Sequence, residues 1–257
     1  MLGYWKGTNM SAREVVRILG VPFSKLSFRE TVDLLKQKAS SEREDKPFHL
    51  ITANPEIVMK YQEDLELQQI MQEAGIITPD GIGIVLASRW RGQPIAERVT
   101  GYELLLELLE LGSRDGLSFY FLGADEETSR MACEIIRRDY PGVRIVGRQN
   151  GFFGPDEELG IVEHIGTTEP DFLIVAMGAP RAEQLIFRYK AKLNAKVAMG
   201  VGGSLDVIAG KVKRAPEAWQ RLNLEWLYRL LSQPSRWRRQ LTLPVFAVKA
   251  YFEGRRQ

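Results

Sequence analysis

Residues 48–55 read Phe-His-Leu-Ile-Thr-Ala-Asn-Pro, and this stretch shows the pattern on which the fold is built. The run from Phe48 to Ala53 is short and apolar, which predicts a buried strand that ends at Asn54. Pro55 suits the first position of a following helix, because a proline there loses no helical hydrogen bond. The stretch therefore predicts a strand that turns directly into a helix.

The same alternation continues along the chain. Further apolar runs predict buried strands at Ile76 to Thr78, Leu117 to Leu122, Val143 to Val146, Phe172 to Met177 and Val197 to Val201. Helices are predicted from a capping box at Ser27 to Glu30 and over Gly101 to Leu111, Glu126 to Tyr140 and Arg181 to Leu193. Apolar strands that alternate with helices indicate a parallel sheet covered on both faces. We therefore predict a Rossmann-like, doubly wound α/β fold with a mostly parallel sheet.

The composition is that of a globular protein of 257 residues, of which 44% are hydrophobic. The only cysteine, Cys133, can form no disulfide within the chain, and its helical surroundings predict a buried thiol in a reducing cytosol. No apolar run approaches the roughly 18 residues needed to cross a bilayer, and Met1 to Leu19 lacks the features of a signal peptide. The predicted location is cytoplasmic.

The net charge of +2 conceals an asymmetry along the chain. From Lys211 onward, eleven Lys and Arg residues stand against three Glu residues, so residues 211–257 carry an excess of eight positive charges. Residues 1–210 carry a net charge of −6. After Gly210 the pattern also changes to helices only. We therefore predict a Rossmann-like domain of residues 1–210 and a basic helical appendage of residues 211–257 that meets an anionic partner.

Ligands of a doubly wound sheet bind beyond the carboxyl ends of its strands, where Asp80 follows a predicted strand. A carboxylate there would face a crevice with little room for water, which suits a general base. The alternative is a helix N-cap, because Asp80 also precedes the apolar run Ile82 to Trp90. Thr52 and Asn54 are either polar contacts to a bound sugar or turn residues at a strand end.

Two loops with glycines predict phosphate contacts. Residues 200–205 lack the third glycine of G-x-G-x-x-G, because Leu205 stands there, so a nicotinamide site is disfavoured. Gly202 and Gly203 still allow a diphosphate to approach backbone N–H groups at a helix start. Residues 178–181 form a second such turn, in which Arg181 can contact phosphate or uracil, unless this is a simple strand-to-helix turn.

Arg98 precedes a predicted helix start and could neutralise a leaving diphosphate through two parallel hydrogen bonds, although most arginines are simply exposed. His49 and His164 have no Cys, His or acidic partner at metal-ligand spacing. The chain contains no Asp-x-Asp, the usual carboxylate pair that holds Mg²⁺ or Mn²⁺ against a nucleotide sugar. We therefore predict no metal and no cofactor, with protein cations in their place.

Seven segments together resemble the WecG/TagA/CpsF glycosyltransferase family in order and spacing, from about Leu19 to Arg239. They are Thr52-Ala53-Asn54-Pro55-Glu56, Pro79-Asp80-Gly81, Arg98-Val99-Thr100-Gly101, Phe121-Leu122-Gly123-Ala124, Gly151-Phe152-Phe153, Gly178-Ala179-Pro180-Arg181, and Gly200-Val201-Gly202-Gly203 through Lys211-Val212-Lys213-Arg214-Ala215-Pro216. The resemblance implies an inverting, metal-independent transfer of N-acetylmannosamine, or of its uronic acid, from UDP to polyprenyl-diphosphate-linked N-acetylglucosamine. We favour N-acetylmannosamine, because Gly203 to Pro216 looks more like the TagA type.

The resemblance also implies roles for individual residues. Asp80 falls on the proposed base, with Thr52 and Asn54 beside it and Arg98 on the leaving diphosphate. The substrate-binding residues predicted from the loops and the resemblance together are Gly123, Gly178, Pro180, Arg181, Glu183, Gly202, Gly203, Arg214, Arg229, Arg236 and Arg239, with the last four turned inward over the active site. Two positions depart from the family: Ala182 replaces a common Gln that contacts nucleotide, and Tyr102-Glu103 stands where a small residue and Asp are commoner.

The implied acceptor is linked to lipid, so we expect the basic appendage to dock on the anionic inner face of the cell membrane. A nucleic-acid-binding protein is the first alternative, because the tail of this chain is basic and contains tryptophans. The acidic remainder has several loops shaped for a small ligand, however, so no nucleic-acid partner is predicted. The second alternative, a nicotinamide oxidoreductase, is disfavoured by the incomplete glycine motif. Homo-oligomer formation is left open.

Overall fold

The structure is a computed structural model that describes residues 14–222, 224–232, 237 and 241–255, without the side chain of Arg229. The strands in this part of the chain are β1 (Val15–Ile18), β2 (Val21–Ser24), β3 (Phe48–Ala53), β4 (Ile76–Pro79), β5 (Ser118–Gly123), β6 (Arg144–Gln149), β7 (Phe172–Ala176) and β8 (Val197–Gly200). The helices are α1 (Phe28–Ser40), α2 (Pro55–Tyr61), α3 (Leu65–Glu73), α4 (Ile82–Trp90), α5 (Gly101–Asp115), α6 (Glu126–Asp139), α7 (Pro155–Thr168), α8 (Arg181–Arg188), α9 (Ser204–Ile208), α10 (Glu217–Arg221), α11 (Glu225–Ser232) and α12 (Thr242–Arg255).

Six of these strands form one parallel sheet in the order β4-β3-β8-β7-β5-β6. All six predicted strands are present, and the predicted doubly wound, Rossmann-like α/β fold is confirmed. β1 and β2 form a separate antiparallel hairpin that was not predicted. The helix predicted over Arg181 to Leu193 is shorter than expected, since α8 ends at Arg188.

Local sequence explains where the first helices begin. Ser27 accepts a hydrogen bond from the backbone of Glu30, and the Glu30 carboxylate accepts one from the backbone of Ser27, so the predicted capping box is formed. Pro55 is the first residue of α2, as predicted, and the side chain of Asn54 caps that helix. Satisfied donors at a helix start stabilise it, because the first turn has no internal partners for its N–H groups.

Helices cover both faces of the sheet, as the alternation of side chains along the strands requires. Leu50 and Phe121 are fully buried on one face, in a cluster with α1, α5 and α6. The neighbouring Ile51 packs on the other face with α2, α3 and α4. Tyr120 lies on that second face with α7 and α8. The sheet is therefore the middle layer between two layers of helices.

Helix α12 packs against this body rather than standing apart from it. Phe246 and Ala250 are buried among side chains of α2 and α4. The carboxylate of Glu253 accepts a hydrogen bond from the backbone of Leu19 at 2.8 Å and pairs with Arg91 at 2.8 Å. The division into residues 1–210 and 211–257 stays a prediction. In the described ranges, no helix has both the length and the apolar character needed to cross a membrane.

Candidate active site

The carboxyl ends of β3 and β4 bring Thr52, Asn54 and Asp80 together. The two strands are parallel neighbours, so the residues that follow them emerge at the same edge of the sheet. The backbone N–H of Asp80 donates to the carbonyl of Ala53 at 2.9 Å, which holds Asp80 next to Asn54. The backbone therefore places these three residues at one edge of the sheet.

Asp80 is not the N-cap of the following helix. That position belongs to Gly81, one residue later, with a φ of +129° that an L side chain rarely adopts. Asp80 therefore lies one residue before the N-cap, and its role as a base stays a prediction. Asn54, in contrast, does act as a cap, because its Oδ1 accepts from the backbone of Ile57 at 3.1 Å. The amide nitrogen of Asn54 and the second lone pair of Oδ1 stay available for a contact to a sugar.

The segment that carries Arg98 is fastened to the same edge. The backbone N–H of Val99 donates to the carbonyl of Pro79 at 2.9 Å, at the end of β4. Helix α5 starts close to β3, since a Cβ added at Gly101 would lie 3.0 Å from the Thr52 hydroxyl oxygen. Arg98 is thus fixed by its backbone beside the strand ends from which Thr52 and Asp80 project.

An ion-pair network joins this edge to the appendage. Arg98 pairs with Glu225, the first residue of α11, and the second oxygen of Glu225 lies 3.4 Å from Nε of Arg214. Arg214 also donates to Glu103 at 2.6 Å, and the Thr100 hydroxyl donates to the same carboxylate at 2.9 Å. The network links Arg214 to Arg98 through Glu225, and it gives Arg98 a carboxylate partner that sequence reasoning missed.

The Glu103–Arg214 pair stays charged although it is partly buried. Burial alone would raise the pKa of Glu103, but hydrogen bonds from Arg214 and Thr100 outweigh it and hold that pKa below its ordinary value. Burial alone would lower the pKa of Arg214, but the hydrogen bond to Glu103 raises it. The guanidinium also lies 4.9 Å from the ring centre of Tyr102, a cation–π distance. The departure Tyr102-Glu103 therefore supplies two contacts to one arginine.

The two predicted phosphate loops follow β7 and β8, and Gly123, another predicted substrate-binding residue, ends β5. Gly123 has a φ of +127°, and a Cβ there would lie 2.3 Å from the carbonyl oxygen of Ala176, so only glycine fits. Gly178 (φ +74°) precedes Pro180, the N-cap residue of α8, and exposed Arg181 lies over the ring of Phe153 at 5.3 Å. Residues 202–203 lead from β8 into α9. Strand β8 lies directly beside β3, about 5 Å away, and β7 is the next strand, about 10 Å from β3.

Glu183 lies beneath this edge rather than on its surface. Its side chain is 3% exposed, and a Cβ added at Gly200 would lie 2.6 Å from its Oε1. Its Oε2 has no hydrogen-bond partner among the residues that the structure describes. Burial raises the pKa of Glu183 to about 7. A carboxyl that keeps its proton near neutral pH can donate a hydrogen bond where a carboxylate can only accept.

The appendage uses part of its positive charge within the chain. Nζ of Lys211 lies 3.1 Å from Asp125 and 3.0 Å from Glu127, both at the start of α6. Hydrogen bonds from Thr128 and then from Lys211 hold the pKa of Asp125 far below its ordinary value. The acidic body is therefore one anionic partner of the basic appendage, a pairing that charge counting along the sequence did not reveal.

Three predicted arginines lie wholly or partly outside the described residues. Arg236 and Arg239 fall in undescribed segments, and Arg229 is described only by its backbone, within α11. Their inward orientation therefore stays a prediction. Arg214 is the member of that predicted set whose side-chain contacts can be traced.

Other reactive side chains lie away from this edge. His49 is buried in β3, and burial lowers its pKa to about 3, so its imidazole is neutral. Burial likewise raises the pKa of Cys133 to about 11, which makes the predicted buried thiol a poor nucleophile. Among the described residues, no three His, Cys, Asp or Glu side chains are placed to hold a metal ion. A cavity of about 170 Å³ beside His49 opens at the amino ends of the strands, opposite the candidate site.

Comparison with known proteins decides the family. Residues 16–257 match the model of the glycosyl transferase WecG/TagA/CpsF family. The chain belongs to this family. The resemblance inferred from the sequence is thereby confirmed, and this WecG/TagA/CpsF protein is a glycosyltransferase.

Three relatives illustrate how far the likeness extends. The chain is 37% identical to a Bacillus spizizenii protein over 205 residues, which cover 80% of this chain and 79% of the relative. It is 36% identical over 197 residues to one from Bacillus subtilis strain 168, covering 77% and 76%. It is 34% identical over 234 residues to one from Staphylococcus aureus strain MRSA252, covering 91% of each. Each is named N-acetylglucosaminyldiphosphoundecaprenol N-acetyl-beta-D-mannosaminyltransferase.

Proposed function

We propose that this WecG/TagA/CpsF glycosyltransferase moves N-acetylmannosamine from UDP-N-acetylmannosamine to polyprenyl-diphosphate-linked N-acetylglucosamine. The product would enter a cell-wall or surface polymer, as in a teichoic acid linkage unit. The names of the three relatives support the transferred sugar and the acceptor. The same reaction with UDP-N-acetylmannosaminuronate is the alternative, because no described residue separates the two donors.

The observation that carries the proposal is the arrangement of Asp80 and Arg98 at one edge of the sheet, next to loops suited to a diphosphate. In an inverting transfer, the acceptor hydroxyl attacks the anomeric carbon from the side opposite the departing UDP. Asp80 takes the proton of that hydroxyl, which contributes about 10²- to 10⁴-fold to the rate. Arg98 stabilises negative charge that grows on the diphosphate as the bond breaks.

The nucleotide half of the donor fits the loops after β7 and β8. The backbone N–H groups at the start of α8 favour an anion, and exposed Arg181 adds a positive charge beside them. Gly202 and Gly203 leave room for close approach at the start of α9. The sugar would then lie between these loops and Asp80. Protein cations at both ends of the diphosphate take the place of a metal ion.

Ligand-dependent heat stabilisation tests the proposal. A ligand of the native state raises stability by about 2.7 kcal/mol at a concentration of about 100 times its Kd. We expect UDP and UDP-N-acetylmannosamine to raise the Tm and NAD to leave it unchanged, with product formed on a lipid-diphosphate acceptor. The uronate donor, tested in parallel, decides between the two sugars. Stabilisation by NAD, or salt-dependent binding to nucleic acid with no response to UDP, would sink the proposal.

We also propose that the enzyme is peripheral on the inner face of the cell membrane, where its lipid-linked acceptor is confined. Four exposed apolar side chains repeat at helical spacing along α12 and the residue just before it. They are Leu241, Val245, Val248 and Phe252. They lie opposite buried Phe246 and Ala250 and share the helix with Lys249 and Arg255. An apolar stripe with basic neighbours is the usual form of an interfacial helix, and each Lys or Arg near an anionic surface contributes ~1 kcal/mol.

A paired substitution tests this surface without disturbing the core. Val248→Asp with Phe252→Asp should abolish sedimentation with anionic vesicles and keep the Tm. Leu65→Asp is the matched control, because Leu65 is 79% exposed at the start of α3, away from α12. The proposal fails if the double variant still sediments like the wild type, or if the wild type binds zwitterionic vesicles equally well.

A further inference from the structure

Arg98, the residue assigned to the leaving diphosphate, already forms an ion pair with a carboxylate of the protein. One carboxylate oxygen of Glu225 accepts from Arg98, and the other lies 3.4 Å from Nε of Arg214. The exposed fractions of these side chains are 17% for Arg98, 16% for Glu225 and 25% for Arg214. A single carboxylate therefore bridges two partly buried guanidinium groups at the edge of the site.

The charges of this cluster cancel. Arg98 and Arg214 supply two positive charges, and Glu103 and Glu225 supply two negative ones. A neutral cluster attracts a diphosphate weakly, because the field of the arginines is already compensated. Without Glu225 the cluster would carry one positive charge. Guanidinium groups bind carboxylate and phosphate oxygens through the same fork of N–H donors, so either anion can fill this place.

We propose that Glu225 is a displaceable counterion, which occupies Arg98 in the ligand-free enzyme and gives way to a diphosphate of the bound substrate. This inference rests on the role of Arg98 in the proposed function. Glu103 differs from Glu225, because the Thr100 hydroxyl and Arg214 hold it from both sides at 2.9 and 2.6 Å. Arg214 therefore keeps its partner while Arg98 exchanges one.

Displacement of Glu225 also changes how the appendage is attached. Glu225 is the first residue of α11, and its contact with Arg98 joins that helix directly to the body. Its contact with Arg214 joins it indirectly, because Arg214 pairs with Glu103 of α5. A ligand that takes Arg98 must loosen this attachment. By linkage, a change that loosens α11 must in turn raise the affinity for the diphosphate. Substrate binding and release of the Arg98–Glu225 contact are thus linked in one equilibrium.

Glu225→Gln tests the exchange, because the amide keeps the size of the side chain and removes its charge. We expect the Kd for UDP, measured by calorimetry, to fall by about three- to tenfold, the range for loss of one competing ion pair. Glu217→Gln is the matched control, since Glu217 lies on α10, is exposed and pairs with Arg221. It should leave the Kd unchanged. An unchanged or higher Kd in Glu225→Gln overturns the proposal.

A second substitution separates this inference from the proposed function. Arg98→Gln should raise the Kd for UDP relative to the wild type. In the double variant with Glu225→Gln, it should also abolish the gain in affinity that Glu225→Gln gives alone. If Arg98→Gln leaves the Kd unchanged, the proposed role of Arg98 fails. If Arg98→Gln raises the Kd but Glu225→Gln does not lower it, the role of Arg98 stands and only the proposal that Glu225 is a displaceable counterion fails.

Hydrogen exchange gives a readout that does not depend on affinity. Saturating UDP should speed exchange of the α11 amides in the wild type, whereas α11 of Glu225→Gln should exchange fast without ligand. Slower exchange of α11 in the presence of UDP contradicts displacement. If Glu225→Gln lowers the Tm enough to obscure binding, Glu225→Asp keeps the charge with a shorter reach. Its Kd for UDP should then lie below that of the wild type, and no change refutes the exchange.

Discussion

Glu183 should make this glycosyltransferase less stable as the pH rises. Burial raises its pKa from 4.5 to about 7, and Oε2 has no partner among the described residues that would favour the charged form. Between these two pH values the folded protein holds a proton that the unfolded chain has released. The free energy of unfolding is therefore highest below the lower value and falls as the pH rises through the window. At 1.36 kcal/mol for each pH unit, the fall amounts to roughly 3 kcal/mol.

Glu183→Gln should remove this dependence, because the amide fills the same space and does not titrate. Urea denaturation at about pH 5 and about pH 8 measures the free energy of unfolding directly. We expect the wild type to lose roughly 2 to 3 kcal/mol more than the variant between these conditions. Glu134→Gln, on an exposed face of α6, should follow the wild type. Parallel curves for the wild type and Glu183→Gln would show that Glu183 does not titrate in this window and would refute the burial argument.

Three further substitutions or treatments follow from the site. Asp80→Asn should keep the fold and UDP binding but lower kcat by about 10²- to 10⁴-fold, because the amide cannot accept the proton; a rate close to that of the wild type would exclude Asp80 as the base. Excess EDTA should leave transfer unchanged in a steady-state assay, and a loss restored by Mg²⁺ or Mn²⁺ would contradict the metal-independent mechanism. Gly123→Ala should prevent stable folding, since its Cβ would lie 2.3 Å from the Ala176 carbonyl oxygen. Gly116→Ala, also at positive φ but with open space around it, should cost only about 1 kcal/mol in the same denaturation assay.

The central sheet could be predicted because its strands are buried on both faces and therefore appear as continuous apolar runs. The hairpin of β1 and β2 is different, because in β1 only the alternate residues Val16 and Ile18 are fully buried, whereas all four residues of β2 are buried. Each of its strands has four residues, too few for a period of two to stand out. Gly20 was the sequence signal that could have revealed it, because it occupies the second position of a two-residue turn in which Leu19 and Gly20 both have positive φ.

The candidate site could be predicted as far as parallel strands dictate it. Thr52 near the end of β3 and Asp80 just after β4 lie at the same edge because the two strands are parallel neighbours in fixed register, which a single sequence already suggests. The partners of the arginines could not be found in this way. Arg98 and Glu225 are 127 positions apart, and their contact depends on where the appendage docks. The start of α4 could likewise be placed only to within one residue, because Gly81 rather than Asp80 takes the N-cap position.

The packing of α12 has a consequence for the order in which the protein acquires its structure. The contact between Leu19 and Glu253 spans 234 positions, and Phe246 completes a cluster built mainly from residues before position 96. Contacts of such separation form late, because a long loop must close first. A chain still emerging from the ribosome would therefore expose the apolar surfaces of α2 and α4 until residues 242–255 arrive. During that interval these surfaces are where we expect a chaperone to bind and aggregation to begin.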